Sequence, residues 1–129
     1  MLFGDLLSLL NHVYAMDVVW QYNLKGVAHN LSTRNPEHVP PFNVLRQKQQ
    51  EINNWYERYA EKQSLEQLEE IIHFTFIGGG EGKMKRGEIL QHVINHASYH
   101  RGHIEGVMYT LLLEPPTTDI SVFLQAKMA

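Results

Sequence analysis

The sequence predicts an all-α fold: an up-down bundle of three long helices, with a short fourth helix and a small glycine-rich hairpin. Three observations carry this. Apolar residues recur at three- and four-residue spacing over 2–25, 43–62 and 87–113, the period of a helix with one buried face. The breaks between those stretches hold turn formers: Gly26, Pro36, Pro40-Pro41, the glycine run from Gly78 and Pro115-Pro116. Finally, 129 residues with 43% hydrophobic and 19% charged content suit one core, so residues 1–129 form a single domain.

The first helix runs over 2–25. Leu2, Leu6, Leu9, Val13, Met16, Trp20 and Leu24 make its stripe, and Gly26 is its stop. His12 lies beside that stripe, where a lone histidine is more often packed or solvated than a ligand. Asp17 is placed to orient an imidazole or to pair with an arginine. Residues 26–42 form a long connection in which His29 and His38 are expected to be solvated. Connections of this length more often pack over a site than simply join elements.

The second helix, 43–62, turns Val44, Leu45, Ile52, Trp55, Tyr56 and Tyr59 inward. Ser64 then caps a short helix, with Gln67 completing a capping box. Ile72-His-Phe-Thr-Phe-Ile77 alternates like a strand, the glycines make a turn, and Lys83–Arg86 return. Gly-Gly-Gly-Glu-Gly-Lys is not a phosphate-binding loop. That pattern needs glycine at 77 and Ser or Thr at 84, where this chain has Ile77 and Met84.

The third long helix, 87–113, carries the chemistry. Four of the eight histidines stand on it, at 92, 96, 100 and 103, within an arc of roughly 80° on a helical wheel. One ion cannot take all four, because His92 and His103 are about 16 Å apart along the axis. The apolar stripe of Ile89, Val93, Ala97, Ile104, Val107 and Leu111 points about 100° from His92. His100, near 80°, and His96, near 40°, face it best. An i, i+4 pair of imidazoles can point at one metal ion, and such a site wants a third protein ligand. Gly102 and Gly106 within the helix imply close approach of another element. After Pro115-Pro116, a short helix or extended segment is expected to pack back through Ile120, Phe123 and Leu124.

Net charge is −3 with histidines neutral, which argues against a nucleic-acid partner. There is no cysteine, hence no thiolate ligand. No stretch reads as a signal peptide or membrane span, so no membrane association and a cytoplasmic location are expected.

The stretch His92-Val-Ile-Asn-His96-Ala-Ser-Tyr-His100-Arg-Gly, followed by Pro115-Pro116-Thr-Thr-Asp119-Ile-Ser-Val-Phe-Leu, resembles the last core helix and tail of the DinB family of metal-binding helical proteins. Leu10-Asn11-His12-Val-Tyr-Ala-Met-Asp17-Val-Val-Trp20 resembles that family's other histidine helix. The resemblance implies a DinB-like four-helix bundle and a divalent ion, zinc or nickel, on His12, His96 and His100. It implies that His92 is not a ligand, that His103 stands where glutamine is usual, and that Arg101 makes structural ion pairs. It also implies a helix ahead of the one carrying His12. That first family helix is missing from this sequence, and a homodimer is expected to bury the groove it would leave. Two function classes follow. One is a divalent-metal-dependent enzyme acting on a small molecule, a thiol-dependent transferase using a low-molecular-weight thiol or a hydrolase. The other is a non-catalytic metal-binding or stress-response protein whose ion is structural, with His92 or His103 as a fourth ligand.

Overall fold

A computed structural model describes residues 2–128; the side chains of residues 2–4, Leu2 of the first stripe among them, lie outside what it describes. In chain order the elements are α1 (Leu2–Lys25), α2 (Phe42–Glu61), α3 (Leu65–Leu68), β1 (Ile71–Thr75), β2 (Glu81–Lys85), α4 (Arg86–Thr110) and α5 (Ile120–Met128). The architecture is thus mostly helical with one two-stranded antiparallel sheet, in register Ile71 to Lys85 and Thr75 to Glu81. None of these helices is long and apolar enough to cross a membrane.

α1 is the central element. Both α2 and α4 pack on it, so its buried side is wider than one stripe: Ala15, Met16, Val19 and Leu24 are all buried. Leu31 from the following connection and Ile77 from the hairpin turn pack against the Ala15–Met16–Val19 cluster. Three polar residues are also buried on α1: Asn11, Asp17 and Asn23. Each buried polar group needs a partner. Asn11 Nδ2 donates to the His38 carbonyl at 3.2 Å, tying the 26–41 connection down. Gln49 Nε2 donates to Asp17 Oδ2 at 2.9 Å, and the Tyr56 hydroxyl donates to the Asp17 carbonyl. These bonds fix α2 on α1, with Leu45 and Ile52 filling the contact.

The hairpin is built on its glycines. Gly78, Gly79 and Gly80 all take positive φ (90°, 107° and 92°), which only glycine adopts freely. Gly82 pairs with Phe74, and a Cβ there would stand 2.8 Å from the rings of Phe74 and Phe76. The hairpin leads straight into α4. Arg86, the first residue of that helix, donates to the Tyr59 hydroxyl, the Gln67 carbonyl and Glu70 Oε2 at 2.8, 2.6 and 2.9 Å. The expected capping box at Ser64 and Gln67 is present.

Four packing expectations fail: Val44 of α2, expected to face inward, is exposed, and the other three lie toward the C-terminal end. Of the stripe expected to be buried on α4, only Ile89 and Val93 are fully buried, while Ala97, Ile104, Val107 and Leu111 are partly exposed. Ala97 and Ile104 line a cleft between α2 and α4, which both pack on α1 rather than closing on each other. Gly102 and Gly106 have nothing within 4 Å of where a Cβ would stand, so no element approaches them. α5 does form, but Ile120, Phe123 and Leu124 are 75%, 57% and 47% exposed and do not pack back.

Candidate metal centre

Two helices converge to make the site. His12 stands in the middle of α1, and His96 and His100 stand one turn apart on α4, where α1 and α4 pack face to face. One ring nitrogen or the other from each of these three half-buried residues lies within 4.8 Å of the others. The ring centroids are 5.2 Å apart for His12 and His96, 4.8 Å for His12 and His100, and 4.5 Å for His96 and His100. Metal–nitrogen bonds of about 2.0–2.1 Å are within reach of this cluster through small side-chain rotations.

The protonation chemistry favours a cation binder. His12 Nδ1 lies 2.7 Å from the Arg34 carbonyl oxygen. A carbonyl can only accept, so Nδ1 carries the proton and Nε2 presents its lone pair. Burial first, then the neighbouring imidazoles of His100, His12 and His92 and the charge of Arg34, hold His96 down at about 4. Burial and the His12 and His103 imidazoles lower His100 as well. Both rings are therefore neutral donors at neutral pH. His100 Nδ1 is buried without a hydrogen-bond partner, an orphan that a bound ion or its ligand would satisfy. The residues present fit a divalent ion.

Other histidines fall outside. His92 meets Trp20 edge-on at 5.0 Å and stacks on His96 at 6.0 Å between ring centroids. His103 is exposed, 6.1 Å from the His100 ring. Among the described residues the cluster has three members, with neither His92 nor His103 as a fourth. Asp17 does not orient an imidazole; its carboxylate meets Gln49 on the opposite side of α1. Arg101 makes no ion pair among the described residues and touches only Ser98 Oγ, at 3.5 Å. His38 is exposed as expected, whereas His29 is half-buried and its Nδ1 accepts from the Leu31 amide.

Beside the three histidines opens a cavity of about 350 Å³. Trp20, Phe74, Phe76 and Tyr99 supply its aromatic walls, and Arg34 stands at its margin. None of these five was singled out from sequence as a site residue. Trp20 reads as core stripe and Phe74 and Phe76 as strand alternation. Arg34 sits in irregular backbone, where no periodicity marks a side chain.

The family model described as "DinB family" matches residues 2–128. The chain belongs to the DinB family. Among the family's curated members, Protein DinB of Bacillus subtilis (strain 168) is 25% identical over 127 residues, covering 95% of this chain and 73% of that protein. No solved structure matches. Membership in the DinB family and the three-histidine cluster together fit a DinB-like metal-binding protein.

Proposed function

We propose that this chain is a divalent-metal-dependent enzyme, with zinc or nickel on His12, His96 and His100, acting as a thiol-dependent transferase or a hydrolase on a small molecule. The observation that carries this reading is the cavity beside a cluster of, among the described residues, three histidines. A structural site is closed by four protein ligands, whereas a catalytic one keeps a position open. When bound, the ion would act as a Lewis acid that lowers the pKa of a thiol or water and so supplies a nucleophile at neutral pH.

The chain's own residues do the rest. The Arg34 carbonyl holds His12 in the tautomer whose Nε2 is free. The low proton affinity of His96 keeps its lone pair available. Trp20 and Phe74 give the cavity apolar walls beside the histidines.

Metal content per chain tests the first half. His12→Ala, His96→Ala and His100→Ala are expected to empty the site and His103→Ala to leave it filled. Cobalt-loaded protein tests the second half: adding a low-molecular-weight thiol should change its visible spectrum. A spectrum indifferent to thiol favours the alternative, a non-catalytic metal-binding protein with a structural ion.

A homodimer is the assembly this reading supports. The cleft between α2 and α4 measures about 640 Å³ and is walled by Leu10, Val13, Leu45, Val93 and Ile104. A second copy of this chain seated in the cleft would cover those apolar side chains. Light scattering should return twice the chain mass; a sharply monomeric profile rejects the dimer.

A further inference from the structure

We propose that the cavity beside the three histidines selects a small ligand with an apolar, flat body and one carboxylate, and that the Arg34 side chain is the group that reads the carboxylate. The inference rests on the reading of the site as open to a ligand and adds the class of ligand it takes.

Three features of the cavity converge on that class. Its size, about 350 Å³, is at the lower end for small-molecule sites, which run from about 300 to 1,000 Å³. Its walls are Trp20, Phe74, Phe76 and Tyr99, backed by Met16 and Ile77. Trp20 and Phe74 meet edge-to-face at 4.9 Å, and Phe74 and Phe76 at 5.1 Å. Rings braced against one another in this way offer rigid apolar faces to a flat molecule.

The third feature is charge. Among the described residues Arg34 is the only lysine or arginine lining the cavity, and no aspartate or glutamate lines it. Among the described residues no carboxylate lies within 4.0 Å of the Arg34 guanidinium. A guanidinium is permanently charged, and its planar fork matches a carboxylate through two parallel hydrogen bonds. A cation without a counter-charge at the rim of an apolar cavity favours an anion there. Arg34 also serves the site twice through separable atoms: its carbonyl holds His12, and its side chain is left for the ligand. A side-chain substitution removes one role and spares the other.

The test uses 3-phenylpropionate and its neutral isostere 3-phenylpropionamide, followed by quenching of Trp20 fluorescence. A Trp55→Phe background leaves Trp20 as the single indole, since the chain has two tryptophans. Zinc-loaded protein is expected to bind the acid at least tenfold more tightly than the amide. Arg34→Gln should abolish that preference by weakening the acid alone, and Arg34→Lys should restore part of it. The same titrations on His96→Ala, without metal, separate the two readings. If the acid preference and its dependence on Arg34 survive there, the ligand inference stands whatever the metal does. Equal affinity for acid and amide, no quenching by either, or a preference that persists in Arg34→Gln would overturn it. The last of these would assign the carboxylate to the metal.

Discussion

His12 and Arg34 are joined by a 2.7 Å hydrogen bond from an imidazole nitrogen to a backbone carbonyl. It makes the irregular 26–41 connection part of the site, since the backbone of the loop decides which nitrogen of a helical histidine faces the cluster. The expected consequence is a single tautomer: in metal-free protein at pH 8, long-range proton–nitrogen correlation spectra should show His12 protonated at Nδ1. A mixture of tautomers would mean that the loop does not hold the ring.

A metal ion held at the proposed site would bridge α1 and α4 and stabilise only the folded chain. Free zinc at about 100 times its dissociation constant should raise stability by about 2.7 kcal/mol. Chelation should reverse the accompanying rise in melting temperature. In His96→Ala the melting temperature should be indifferent to both zinc and chelator.

Two groups, buried Asp17 and half-buried His96, titrate with opposite effects on stability. Burial raises Asp17 from 3.8 to about 6, against the opposing Gln49 hydrogen bond. In the unfolded chain this carboxyl ionises earlier, so its contribution is intact below about pH 4 and is lost as pH rises toward 6. His96, held at about 4 against an ordinary 6.5, acts the other way. The unfolded chain takes up its proton first, so stability falls as pH drops from 6.5 to 4. In chelated protein, Asp17→Asn should leave only the histidine trend, with stability climbing steadily from pH 4 to 6.5. It should also gain roughly 1–2 kcal/mol above pH 7, a discounted share of ~1.4 kcal/mol per pKa unit. Urea melts at several pH values check both, and a flat profile in Asp17→Asn would contradict the assignment.

Two glycine substitutions should move stability in opposite directions. Gly82→Ala places a Cβ 2.8 Å from the Phe74 and Phe76 rings and should cost about 1–3 kcal/mol, as overpacking does, while disturbing the cavity wall. Gly102→Ala meets nothing within 4 Å on an exposed helical turn and should gain about 0.5–1 kcal/mol. Thermal melts of both variants decide it. A loss at Gly102 would mean that a second chain lies against that turn.

Helix positions were legible in the sequence because each long helix has an apolar face of the right period and a clear stop. The wheel selected His96 and His100 for a physical reason: the stripe through Ile89 and Val93 does face α1. His12 was visible only through family resemblance, since nothing in α1 itself distinguishes a flanking histidine from a core neighbour. The stripe misled beyond Val93. Periodicity reports which residues want cover, and Ile104, Val107 and Leu111 want cover that α2 does not give. The same holds for α5, whose apolar residues form a helix without finding a surface. Arg34 was out of reach because its placement depends on backbone turns and on the Asn11 bond to His38, neither of which leaves a periodic trace.

The three histidines come from opposite parts of the chain, one on α1 and two on α4. During synthesis α1 leaves the ribosome carrying a single imidazole, which is no better a chelator than any surface histidine. The pair follows only after α2, α3 and the whole hairpin have emerged. Ion capture at the proposed site would therefore be a late event in the life of the nascent polypeptide. A product that terminates before His96 carries only His12 of the three and cannot assemble the cluster.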